Sequence, residues 1–161
     1  MINNNAKRIV LLLIILTMIS AISCVSAMDY GSHSGEILSD QAPGELSEIH
    51  VSSDASDEMG DGSSQKPFKS LECAINNSGD DSTIYLNDGE YSGDNNRNIT
   101  IDKQITIIGK SKQNTIINLE TSGRLFNLTP TSKVTLINIT FMNGYTTENG
   151  GLIYNDGGEI N

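Results

Sequence analysis

Three aspartates, Asp54, Asp57 and Asp61, fall in a short glycine-punctuated stretch that also holds Glu58, Gly60 and Gly62. Carboxylates gathered beside a tight turn are what Ca²⁺ requires, since it takes about six to eight oxygen ligands. These three are the candidate metal ligands of the chain. Their spacing does not follow the EF-hand order and no Glu closes the loop, so a turn solvated by its own carboxylates is the competing reading. Apart from this Ca²⁺ candidate, no cofactor is expected.

A second set of acids, Asp80, Asp81, Asp88, Glu90 and Asp94, sits in turns. Lyase chemistry on an acidic polysaccharide would need such carboxylates to hold Ca²⁺ beside an Arg or Lys base. A hydrolase would need two of them at a fixed separation across a cleft. The basic residues past the leader that could serve are Arg97, Arg124, Lys103, Lys110, Lys112 and Lys133. No two carboxylates recur at the repeat offset beside one of them, so no catalytic residue is assigned, and Arg124 reads as solvent-facing. Cys73 as a nucleophile would need a histidine base, and His33 and His50 stand in unrelated contexts. Cys73 reads instead as a small apolar residue of a short helix. Four N-glycosylation sequons occur, at Asn98, Asn76, Asn127 and Asn138. Asn98, between a polar run and a strand, is the preferred glycan site, and Asn138 reads better as a corner residue.

The elements that would carry these residues are short. Glu48–Ser52 alternates as a strand, with Ile49 and Val51 on one face and His50 on the other. Residues 66–75 read as an amphipathic helix with Ser70 as N-cap, Leu71, Ala74 and Ile75 on one stripe, and Gly79 as its stop. From residue 83 onward come many brief β segments, at 83–86, 98–101, 105–109, 115–118, 124–128, 134–141 and 151–155, rich in Ile and Val alternating with Thr. Most close on Asn or Gly, which tolerate a left-handed corner.

A loose repeat links these segments. Ile105-x-Ile107 matches Val134-x-Leu136 at an offset of 29, Gly123–Asn127 matches Gly150–Tyr154 at 27, and Ile84-x-Leu86 precedes Ile105-x-Ile107 by 21. In 134–141 the apolar parity switches after Leu136, which demands a bend near Asn138. Offsets that vary while strands keep their pattern describe coils joined by loops of variable length, a parallel β-helix.

Residues 1–27 read as a signal peptide. Lys7-Arg8 is followed by an apolar run from Ile9, and Val25-Ser26-Ala27 forms a cleavage site after Ala27. The competing reading is an uncleaved anchor, because Ile9–Ala27 is uncharged and close to a span of about 20 residues. Residues 28–47 are polar, acidic and aperiodic, a flexible spacer, and 48–161 hold the β domain. The whole chain of 161 residues has formal charge −10. Since Lys7 and Arg8 lie in an acid-free leader, the remainder carries 8 basic against 20 acidic side chains. That balance excludes nucleic acid, whose phosphates need a basic surface, and leaves membrane contact only through an uncleaved leader.

Taken together, the strand at 49–52, the loop through Asp61-Gly62, the helix at 67–71, and the segments 82–91, 105–109, 134–141 and 149–155 resemble the start of a right-handed parallel β-helix of the pectin-lyase-like superfamily. More narrowly, they resemble adhesin-like surface proteins of methanogenic archaea. The resemblance implies an all-β fold of about two to three coils with a short N-terminal capping helix. It also implies a non-catalytic, exported cell-surface module that binds surface glycans or cell-surface proteins, with further coils of the same longer chain as its neighbours. The superfamily also contains polysaccharide lyases and hydrolases, so a carbohydrate-active enzyme is the alternative, and a non-functional N-terminal fragment is the third. The chain stops at Gly158-Glu159-Ile160-Asn161 in what reads as mid-coil. On that reading residues 28–161 are marginally stable alone and self-associate through an uncapped end.

Overall fold

The computed structural model describes residues 45–161. The expected signal peptide with its cleavage site after Ala27, His33 and nearly all of the expected acidic spacer lie outside the described residues.

Among the described residues eleven strands and one helix follow in order. They are β1 (Leu46–Val51), α1 (Leu71–Asn76), β2 (Ser78–Leu86), β3 (Gly89–Tyr91), β4 (Ile99–Ile101), β5 (Gln104–Gly109), β6 (Thr115–Asn118), β7 (Phe126–Leu128), β8 (Lys133–Ile137), β9 (Thr140–Met142), β10 (Ile153–Asn155) and β11 (Glu159–Ile160). A 3-10 turn, Asp94–Asn96, separates β3 from β4. The strands form a five-stranded sheet, β1-β2-β5-β8-β11, and two three-stranded sheets, β10-β7-β4 and β3-β6-β9. All pairings between these strands are parallel. From β2 onward each strand is followed by one in a different sheet, and the chain returns to the large sheet beside its earlier strand; β1 and β2 are neighbours in the large sheet with α1 between them. The result is an all-β, β-helix-like winding with repeating parallel sheets and one N-terminal helix.

The core follows from alternation. Ile49, Ile84, Ile107 and Leu136 stand in register on the inward side of the large sheet. Phe126 lies between Ile99 and Ile153 in a second sheet, and Ile117 between Tyr91 and Phe141 in the third. Ile49, Ile84, Ile107, Phe126 and Ile117 are fully buried, each burial contributing about 1.5–3 kcal/mol. The offsets of 29 and 27 are the observed registers, Ile105 opposite Val134 and Phe126 opposite Ile153. The offset of 21 is corrected. Ser82 lies opposite Ile105 and Ile84 opposite Ile107, a step of two residues. Ser82 occupies an inward place because its buried hydroxyl donates to the carbonyls of Leu46 and Gly79, both 2.7 Å away.

Corners fall where asparagine adopts positive φ, at Asn98 (55°), Asn138 (55°) and Asn143 (57°). The Asn138 corner is the bend between β8 and β9 that the parity switch requires. Side-chain amides then stack from winding to winding. Asn118 donates to Glu90 (2.7 Å) and accepts from Asn143 (2.9 Å).

Helix α1 stands where strands of the two smaller sheets would precede β3 and β4. Ser70 caps it, its hydroxyl accepting from the Cys73 amide at 3.2 Å. Leu71, Cys73, Ala74 and Ile75 are buried. The Leu71 amide donates to Asn96 Oδ1 at 2.9 Å, which ties the helix to the 3-10 turn. The helix ends at Asn76 rather than at Gly79, which belongs to β2. Near its end the Ile75 carbonyl accepts from the Lys103 ammonium (3.3 Å), which also donates to the carbonyl of Ser78 at the start of β2 (2.6 Å). Cys73 takes its place in the buried stripe as a small residue of the helix.

Candidate functional site

Alternation sends every second residue of the five-stranded sheet outward, and the registers align those residues in rows. One row is Glu48, Thr83, Thr106 and Thr135. A parallel row is His50, Tyr85, Ile108 and Ile137. Neighbouring strands lie about 4.8 Å apart, so the first row offers hydroxyls and methyls at a regular repeat and the second offers aromatic and aliphatic surface. The His50 ring stacks on Tyr85, with centroids 5.2 Å apart. Ile137 is 40% exposed. Toward the strand starts a charged border follows, with Gln104, Lys133 and Glu159 in register. Lys133 pairs with Glu159 at 3.2 Å, and the hydrogen bond from its ammonium holds the Glu159 carboxyl below the usual range. Asp81, Gln104 and Lys133 rim a shallow depression of about 210 Å³ that reaches Thr106 and Thr135.

The candidate Ca²⁺ ligands are not brought together. Asp54 accepts from the Ser52 hydroxyl (2.6 Å). Asp57 accepts the backbone N–H groups of Lys69 (2.7 Å) and Ser70 (2.9 Å). Asp61 accepts from the Ser63 amide (2.9 Å), and its hydrogen bonds with Ser63 lower its pKa. Asp57 fastens the loop to the start of α1, whereas Asp54 and Asp61 bond to residues two positions away along the chain. Among the described residues no three His, Cys, Asp or Glu side chains are grouped to hold a metal ion.

All of the second set of acids but Asp81 make side-chain bonds within the fold. Asp80 accepts from the Gln104 amide (2.9 Å), Asp88 from the Ser111 hydroxyl (2.7 Å) and Glu90 from Asn118. Spacing alone misses two clusters. Arg97 pairs with Asp94 and, at 2.6 Å, with Glu120 from the next winding. The Glu120 hydrogen bond, with Asp94, raises the Arg97 pKa. Arg124 is not solvent-facing: it is 8% exposed. Its guanidinium donates to Asn127 (3.3 Å), Thr146 (3.3 Å) and Glu148 (3.0 Å) and lies 5.3 Å from the centre of the Tyr154 ring. In both clusters the partner lies 23 or 24 residues downstream. That is close to the repeat length, the one signal that could have revealed them.

Of the sequons, Asn98 is exposed yet engaged, its Oδ1 accepting from the Arg124 amide at 3.2 Å. Its side chain also lies against Gly123, where an added Cβ would stand 2.7 Å from the Asn98 amide nitrogen. Asn127 donates to the Asn98 carbonyl at 3.3 Å. Asn76 and Asn138 are exposed.

The fold and its outward rows define a β-helix-like module built from stacked parallel windings. The chain belongs to the DUF1565 family, described as proteins of unknown function, whose model matches residues 55–160. Comparison with curated proteins and with solved structures finds no match.

Proposed function

We propose that this protein is an exported, non-catalytic, adhesin-like surface module on a right-handed, pectin-lyase-like β-helix of about two to three coils. It binds surface glycans or cell-surface proteins through the outer face of the five-stranded sheet. The observation that carries the reading is the pair of aligned rows, Thr83–Thr106–Thr135 beside Tyr85–Ile108–Ile137. A repeating surface of hydroxyls and apolar groups suits contact with an extended, repeating partner, because each winding presents the same chemistry one strand further along. The acidic balance of the chain favours a neutral or cationic partner over a polyanion.

The enzymatic alternative, a polysaccharide lyase, draws on Arg97 between Asp94 and Glu120. Incubating the full chain with pectate, with and without Ca²⁺, and following absorbance of the unsaturated product separates the two. No product above a boiled control is expected, and turnover above it overturns the non-catalytic reading. Export has its own test. Secreted protein is expected to begin at Met28, and an intact Met1 on membrane-bound protein would make Ile9–Ala27 an anchor.

A further inference from the structure

Arg124, Asn127, Glu148, Asn149 and Tyr154 line an open cavity of about 460 Å³. It lies beside the β4–β7–β10 sheet, away from the Thr rows of the large sheet, and it is assembled from two windings. Arg124 and Asn127 come from the β7 segment, and the other three residues from the β10 segment and the loop before it. Its volume is that of a small-molecule site, and its lining combines one aromatic ring with a few convergent polar groups.

The chemistry of the lining selects the ligand. The Arg124 guanidinium already lies over the Tyr154 ring and is bonded to Glu148 at 3.0 Å. Its charge is therefore matched inside the site, and a carboxylate or phosphate would have to displace Glu148 in a chain of net charge −10. The Glu148 side chain is largely exposed and accepts hydrogen bonds only. Asn149 is exposed, and its amide supplies donors and an acceptor. Tyr154, 37% exposed, adds an aromatic surface with a negative face, onto which polarised C–H groups pack. Paired hydroxyls meeting a carboxylate and an amide, above a ring, describe a pyranose without a charge.

We infer that this cavity binds a neutral hexose unit and that Glu148, by neutralising Arg124, rejects uronic acids. The inference adds a saccharide subsite to the surface-binding reading and does not use the large sheet's outer face. The test is ¹H–¹⁵N NMR of the full chain titrated with the methyl glycosides of glucose, galactose and mannose, and with galacturonate, up to roughly 50 mM. At least one neutral glycoside is expected to shift the Arg124 side-chain and the Asn127 and Asn149 amide signals. Tyr154→Ala is expected to weaken that binding about tenfold or more, while Tyr154→Phe retains it. Glu148→Gln, which keeps the shape and frees the Arg124 charge, is expected to gain galacturonate binding. Core amide signals unchanged from wild type in each variant report that the fold is intact. No shift with any neutral glycoside, or stronger binding of galacturonate by the wild type, overturns the inference. Either result leaves the sheet-face reading standing, because that reading is tested on Thr106 and Thr135.

Discussion

Replacing Tyr91 by phenylalanine separates two contributions of one buried hydroxyl. Tyr91 is 1% exposed, and its phenol donates toward the carbonyls of Asn87 (2.9 Å) and Val51 (3.1 Å). The Val51 carbonyl also accepts from the Asn87 amide at 2.9 Å, so it keeps a partner when the hydroxyl is removed. The loss at neutral pH is therefore one ordinary hydrogen bond, about 1 kcal/mol. Burial first, and then the charges of Asp54 and Asp88, raise the phenol pKa above its ordinary 10.0. Below pH 10 the phenol is neutral in both states and the hydroxyl's stabilisation is complete. As pH rises past 10 the unfolded chain ionises while the folded chain holds its proton. Stability then falls by about 1.4 kcal/mol per pH unit until the folded phenol also ionises. The Tyr91→Phe variant carries no such linkage, and all other titrating groups are common to both proteins. The wild-type advantage of about 1 kcal/mol should thus vanish near pH 11 and reverse above it. Urea denaturation of both proteins between pH 7 and 11.5 measures the gap. A gap that stays constant across that range would refute the reasoning.

Two further predictions concern the stacking of windings. Gly109→Ala places a Cβ against the backbone carbonyl of Asn138 in the next winding. It should cost about 1–3 kcal/mol, whereas Gly151→Ala, which meets nothing closer than 4.0 Å, should lie within about 0.5 kcal/mol of wild type; equal midpoints in urea would contradict this. Cysteines at Thr83 and Thr106, opposite one another across β2 and β5, should crosslink on oxidation, since paired Cα atoms about 5 Å apart suit a disulfide. Cysteines at Thr83 and Gln104, in register under the offset of 21, should not, and peptide mapping under non-reducing conditions decides between them.

That offset shows where sequence reading stops. Alternation repeats every second residue, so Ile84 facing Ile105 and Ile84 facing Ile107 bury the same face. Only Ser82, an inward polar residue held by two carbonyls, marks the true register. The bend at Asn138 was legible because Leu136 and Ile139 break parity, and only a corner keeps both turned toward the interior. Strand β3 was legible only as part of a turn, since Gly89-Glu90-Tyr91 offers a single apolar residue, Tyr91. Strand β11 has two residues and no pattern to read. The rows of the large sheet were half legible. Thr alternating with Ile announced an exposed face, while the partners along each row depended on register. Arg124 was misread because the groups that bury it, Glu148 and Tyr154, arrive with the following winding.

The functional claim rests on the outer face of the five-stranded sheet, and adsorption tests it most directly. Fluorescently labelled full chain is passed over insoluble polysaccharides, cellulose, chitin and mannan, and over intact cell surfaces, beside a Thr106→Lys, Thr135→Lys double variant. Both positions point outward, so the variant keeps the core and replaces the hydroxyl row with charge. Wild-type retention is expected on at least one surface, with a loss of about tenfold or more in the variant. Retention of the two proteins to the same extent, or of neither on any surface, would contradict a binding role for this face.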